Sequence, residues 1–371
     1  MTAESAPVPP KPRARDLGVP FEGETGSLNA ITDVAGVEVG HCTLVSGEGP
    51  LRVGFGPVRT GVTAVLPQGR TRNEAVPAAW FSLNGNGEMT GTAWLEESGL
   101  LGGPVMITNT HSVGTVRDAV IAWLIRRDLK RGPFVLPVVA ETYDGWLSDI
   151  DGFHVRAEHA FEALDGARGG SFQEGAVGGG TGMIAYHFKG GIGTSSRRLA
   201  EAYGGYTLGV LVQANYGRRE ELIIAGVPVG REIGSHMPER GTTASGDGSI
   251  IIIVATDAPL LPHQLGRLAK RASLGLARSG SVAHNGSGDL FLAFSTAAPA
   301  RREGVEVWRA LPNGEMDALF TATVQATEEA IVNALVAAET MTGVEGRTVH
   351  ALPHDLLRQA LLKYKRLSGP S

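Results

Sequence analysis

The chain has 371 residues, 42% of them hydrophobic and 19% charged, enough to bury a sizeable core. A formal net charge of -5 argues against nucleic acid or an anionic membrane as partner. The single cysteine, Cys42, excludes an intrachain disulfide and a Cys-based zinc site.

In chain order, residues 1–15 are rich in proline and charge and lack an apolar run, so they read as neither signal peptide nor membrane span. Residues 1–26 are expected as a flexible arm ahead of one domain over 27–371, in a cytoplasmic protein. Fifty-two glycines, about twice the usual share of roughly 7%, cluster between apolar segments and predict many tight turns. Strands are expected over residues 62–66, 105–108, 134–140 and 206–213. The spacing predicts a helix over 113–130, with Val116, Val120, Trp123 and Leu124 on one face and a basic end. Short basic pairs, including Arg197 with Arg198 and Arg218 with Arg219, read as solvated turns or helix ends. Asp257 is expected to cap a helix reaching Arg278, with Pro259 and Pro262 at its start. Thr327 is expected to cap another, with Glu328 and Glu329 in its first turn and Gly343 near its end. Residues 250–255 form a β-branched run without polar alternation, hence a strand covered on both faces. Stacked sheets with helices outside follow, an α+β fold.

Residues 242–249 lead straight into that strand. Asp247 and Gly248 ahead of a strand are an ordinary hairpin signal. The same position also suits chemistry. A Gly248–Ser249 peptide can be held for attack by the serine's own hydroxyl, because glycine reaches backbone conformations closed to other residues. Ser249 would then become a new amino terminus, whose α-amine, with a reference pKa of about 8, can act as base for its own Oγ. At 284–289 the sequence is His-Asn-Gly-Ser-Gly-Asp. If it is extended, Asn285, Ser287 and Asp289 share one face, and a hydroxyl two residues from a carboxylate can form a relay. An Asn-Gly turn capped by polar residues fits those letters equally well. The ten histidines show no ligand spacing, so no metal is expected. The Gly178–Gly182 stretch lacks a complete dinucleotide or P-loop motif, so no cofactor is expected. No GxSxG elbow occurs.

At five short motifs the sequence resembles the L-aminopeptidase/D-esterase and β-peptidyl aminopeptidase family. They are residues 141–145 (Glu-Thr-Tyr-Asp-Gly), 213–217 (Gln-Ala-Asn-Tyr-Gly), 246–249 (Gly-Asp-Gly-Ser) with the isoleucine run, 256–260 (Thr-Asp-Ala-Pro-Leu) and 284–289. The likeness runs from about Ser27 to the C-terminal helix. It implies a four-layer αββα sandwich like that of N-terminal-nucleophile hydrolases. It also implies self-cleavage between Gly248 and Ser249 into 27–248 and 249–371, and a homo-oligomer of αβ heterodimers. The implied roles are nucleophile for Ser249, supporting hydroxyl and carboxylate for Ser287 and Asp289, and oxyanion amide for Asn215. Tyr143 would stand beside the nucleophile, and Glu141 would pair with the ammonium of a small peptide, amide or ester substrate. Some β-aminopeptidases resemble this motif but carry Glu where this chain has the shorter Asp289. Two alternatives are a self-cleaving acyltransferase akin to ornithine acetyltransferase, which uses threonine, and a non-enzymatic glycine-rich binding protein.

Overall fold

The computed structural model describes residues 11–238, 248–297 and 299–367. The expected hairpin and cleavage motif therefore falls partly outside the described residues: Gly248 and Ser249 lie within them, residues 242–247 do not. The strands of the two main sheets and of a short hairpin, β7 with β8, are β1 (Glu38–Ser46), β2 (Val58–Leu66), β3 (Val76–Gly85), β4 (Leu100–Leu101), β5 (Val105–Asn109), β6 (Val138–Thr142), β7 (Ile184–Ala185), β8 (Phe188–Lys189), β9 (Gly191–Arg198), β10 (Thr207–Asn215), β11 (Ser249–Thr256) and β12 (Gly288–Ser295). The helices are α1 (Thr92–Ser98), α2 (Val113–Arg126), α3 (Ala157–Gly166), α4 (Val229–Glu232), α5 (Pro262–Arg278), α6 (Asp317–Ala337) and α7 (His354–Lys363).

Two sheets carry the fold. One has four strands in the order β1-β2-β5-β6, the other six in the order β4-β3-β12-β11-β10-β9. Side-chain alternation along each strand divides the core into layers. In β11, Ile250, Ile252 and Val254 pack under α5 and α6, while Ile251, Ile253 and Ala255 face the opposing sheet. That explains the unbroken apolar run, since a central strand between two covered faces has no polar side. Each fully buried isoleucine contributes about 1.5–3 kcal/mol. In the other sheet, Val105 and Ile107 point between the sheets, and Met106 joins Val116, Val120, Trp123 and Leu124 of α2 and Ala160, Ala163 and Leu164 of α3. Helices, sheet, sheet and helices give the four-layer αββα sandwich.

Several local expectations change. The helix expected over 113–130, α2, stops at Arg126. Of residues 134–140 only the end is strand: β6 starts at Val138, and Phe134 is exposed. Asp257 caps no helix. Its Oδ1 accepts the Thr207 N–H at 2.8 Å and ties β11 to the start of β10, while Gln264 Oε1 accepts the Leu261 N–H ahead of α5. Thr327 is a buried mid-helix residue, because α6 begins at Asp317 and buries Leu319, Phe320 and Thr323 against the sheet and α5. Gly343 lies beyond its end at Ala337.

Two arginines read as solvated are buried. Arg197 pairs with Glu329 at 2.8 Å between side chains 2% and 0% exposed. Arg219 donates to five backbone carbonyls. The described part of the expected loose arm is packed. Ala14 is fully buried and its N–H meets Asn333 Oδ1 at 3.0 Å, while Arg13 and Arg15 pair with Glu174 and Glu329. Among the described residues no helix is long and apolar enough to cross a membrane.

Candidate active site

The site forms where β10, β11 and β12 start or end at one edge of the space between the sheets. Ser249 is the first residue of β11, opposite Asn215 of β10 on one side and Gly288 of β12 on the other. It is 6% exposed, and its Oγ accepts the Gly288 N–H at 3.1 Å. The hydroxyl is thus held by a rigid backbone donor at the head of a buried strand. Gly248 before it is locked in place for a steric reason. A Cβ there would run into the Asn215 carbonyl oxygen and sit 2.9 Å from the Tyr216 Cα. Only glycine lets the chain pass so close to β10.

Ser287 and Asp289 come together as their spacing predicts: Ser287 Oγ donates to Asp289 Oδ1 at 2.6 Å, and both are buried. Burial pushes the Asp289 carboxyl up to about 6, against the opposing pull of the Ser287 hydroxyl and the Ile250 N–H. The residue between them, Gly288, carries the N–H that reaches Ser249, so the pair borders the nucleophile through the backbone. The preceding loop is fastened to β3, with Asn84 Nδ2 donating to His284 O and Asn86 Nδ2 to Gly286 O. Asn285 does not share that face: it lies with Gly286 in a turn closed by the Ser287 N–H on His284 O at 2.9 Å, and it is exposed, because the strand begins only at Gly288.

Asn215 Oδ1 accepts the Ile184 N–H at 2.8 Å, and its Nδ2 donates to Tyr143 O at 3.0 Å. A carboxamide with a donor at one end and a carbonyl at the other has only one satisfied orientation, so its nitrogen is fixed toward Tyr143. Tyr143 meets the site through that carbonyl. Its phenol is nearly half exposed, lies over Gly145, and is pushed up by burial and by the neighbouring Asp144 charge.

Glu141, at the end of β6, is 3% exposed; its carboxylate accepts the Glu88 N–H at 3.0 Å and the Thr110 hydroxyl. Burial raises its pKa, and those two hydrogen bonds oppose the shift. Gly87 separates it from the start of β12: a Cβ on Gly87 would lie 3.1 Å from the Gly288 Cα and 3.2 Å from Glu141 Oε1. Glu141 is therefore one glycine away from Gly288, whose N–H holds Ser249 Oγ.

Sequence reasoning missed the groups that hold these side chains: Thr110, the Gly288 N–H and the Ile184 N–H. Gly288 sat inside a recognised motif, but its backbone donor leaves no letter in the sequence. Thr110 and Ile184 come from loops distant in the chain.

The model of peptidase family S58 matches residues 29–349. A β-peptidyl aminopeptidase of Sphingosinicella microcystinivorans is 57% identical, with 96% of this chain and 94% of that protein aligned. One from Sphingosinicella xenopeptidilytica is 51% identical, over 94% of this chain and 91% of that protein. Among solved structures, the L-aminopeptidase D-Ala-esterase/amidase of Ochrobactrum anthropi, described as a variant of the Ntn hydrolase fold, superposes with a TM-score of 0.90 at 46% identity. The match covers 96% of this chain and 100% of that one. A Burkholderia β-aminopeptidase gives 0.85 at 46% identity, over 97% and 100%.

Proposed function

The chain belongs to peptidase family S58 and is a hydrolase of the aminopeptidase class, and we propose that Ser249 is its nucleophile, freed as a new amino terminus by self-cleavage after Gly248. The observation that carries this reading is Ser249 Oγ, steadied by the Gly288 N–H at the mouth of β11, immediately after a glycine wedged against the Asn215 backbone. In maturation Ser249 Oγ attacks the Gly248 carbonyl carbon. The C–N bond breaks, an ester replaces it, and the nitrogen becomes an α-amine. Water then hydrolyses the ester and leaves a Gly248 carboxylate. In turnover the α-amine takes the hydroxyl proton, Oγ attacks the substrate carbonyl, and the proton passes to the leaving amine. Water releases the acyl group and restores the hydroxyl.

Asn215 supplies the oxyanion donor, since one Nδ2 hydrogen is held by Tyr143 O and the other is left for developing charge. Glu141 takes the substrate's ammonium, a buried anion one glycine away from Gly288, whose N–H holds Ser249 Oγ. The proposed substrates are short peptides, amides and esters with a free amino group, and the β-peptidyl relatives favour an N-terminal β-residue among them. The proposed assembly is an oligomer of αβ heterodimers. The self-cleaving acyltransferase and the binding protein are left without support by the family match.

Denaturing electrophoresis of the active protein tests the reading. Two bands, for residues 1–248 and 249–371, are expected; full activity in one unbroken 38.8 kDa chain overturns it. A panel of α-L, α-D and β-aminoacyl p-nitroanilides reads out the residue preference.

Two further outcomes follow from the geometry. Glu141→Ala should lower kcat/KM for substrates with a free amine on the order of 100-fold, the worth of a buried charge-assisted pair, while self-cleavage slows far less. Equal loss of both would make Glu141 a structural residue. Asp289 should give kcat an acid limb near pH 6, rising as the carboxyl ionises, and Asp289→Asn should flatten it. The stability sign is opposite. Because the folded carboxyl holds its proton up to about 6, against an ordinary 3.8, its contribution to stability falls as pH rises between those values.

A further inference from the structure

Lys189 is fully buried, and its Nζ donates to three backbone carbonyls: Met183 O at 2.7 Å, Gly190 O at 2.9 Å and Gly180 O at 3.4 Å. Burying an amine costs more than burying a methionine of similar length. Burial lowers its pKa to about 7, so the amine is kept at this position for its N–H donors, and that needs a reason.

The reason lies in its hairpin. Lys189 of β8 stands opposite Ile184 of β7, and the Met183 carbonyl it grips belongs to the peptide that carries the Ile184 N–H. That N–H is the donor that fixes the Asn215 amide. The turn between the strands is strained. Tyr186 and His187 both have positive φ, at 52° and 60°, where such a turn ordinarily takes Asn or Gly. Arg219 holds the strained peptides by donating to Tyr186 O at 3.0 Å and His187 O at 2.8 Å. A hairpin kept in such a conformation by two buried side-chain donors, Lys189 and Arg219, is built to place something accurately.

We propose that the β7–β8 hairpin is a clamp that sets the polarity of the Asn215 carboxamide, and that Lys189 is its positioning residue. If Ile184 drifts, Oδ1 loses its donor and only the Tyr143 carbonyl is left to hold the amide's orientation. A flipped amide offers an acceptor oxygen to the developing oxyanion and repels it. Two of the three Lys189 hydrogen bonds are short, so the grip survives loss of one ammonium proton. The inference rests on the oxyanion role proposed for Asn215.

The test uses full-length protein and counts turnover per cleaved chain. Lys189→Met is expected to lower kcat for an aminoacyl p-nitroanilide about 100-fold, the effect of one lost oxyanion donor, with KM changed less than about threefold. Ile184→Pro removes the same N–H without touching Lys189 and should give the same split, which covers a Lys189 variant that folds poorly. Asn215→Ala separates the two readings. If it leaves both turnover and self-cleavage intact, the oxyanion role itself is wrong. If Asn215→Ala is damaging while folded Lys189→Met and Ile184→Pro keep wild-type kcat, the clamp is wrong. A uniform loss of thermal stability with kcat preserved also overturns the clamp, since that is what a purely structural lysine would give.

Discussion

Ser249→Ala is expected to yield one uncut chain with kcat reduced on the order of a million-fold, the cost of deleting a nucleophile that acts as a unit with its base. The variant should fold. The Ile250, Ile251, Ile252 and Ile253 side chains stay buried, and among the described residues the partner the hydroxyl gives up is the Gly288 N–H, worth about 1 kcal/mol. Loss of cleavage and loss of turnover should coincide, because without the cut there is no α-amine at position 249. Electrophoresis and a p-nitroanilide assay on the same sample decide the matter. A Ser249→Ala chain that still separates into two fragments would remove Ser249 from the chemistry.

Gly248→Ala tests the backbone rather than the hydroxyl. The new methyl would meet the Asn215 carbonyl oxygen and approach the Asn215 carbonyl carbon and the Tyr216 Cα to 2.9 Å. The end of β11 must then move away from β10. Overpacking of this kind costs about 1–3 kcal/mol, which the rest of the sandwich can absorb. The larger effect falls on geometry. A displacement near 1 Å between Ser249 Oγ and the Gly248 carbonyl should slow self-cleavage on the order of 100-fold. The measurement is the half-time of fragment appearance after synthesis, beside a melting temperature. Cleavage at the wild-type rate would mean that close approach to Asn215 plays no part in bringing the bond to the nucleophile.

Much of this architecture could be read locally. An apolar run without alternation at 250–255 demands cover on both faces, and α5, α6 and the second sheet supply it. The Ser287–Asp289 pair followed from a period of two, and the α2 face from a period of 3.6. Where local signals failed, a long-range contact had overridden them. Thr327 with two following glutamates looked like a helix start. Ten preceding residues that bury Leu319, Phe320 and Thr323 carried the helix further back. Arg197 and Arg219 looked like surface charge because a sequence does not show that Glu329 or a ring of carbonyls waits inside.

The sequence alone determined which serine begins a core strand, which glycine precedes it, and which hydroxyl and carboxylate stand two residues apart, because each is a relation between neighbours in the chain. Only the tertiary structure decided what those groups meet: the Gly288 N–H on Ser249, Thr110 and Glu88 on Glu141, and Ile184 on Asn215. Hydrogen-bond partners and the burial of charge depend on segments that fold together from distant parts of the chain. Periodicity along one segment carries no information about them.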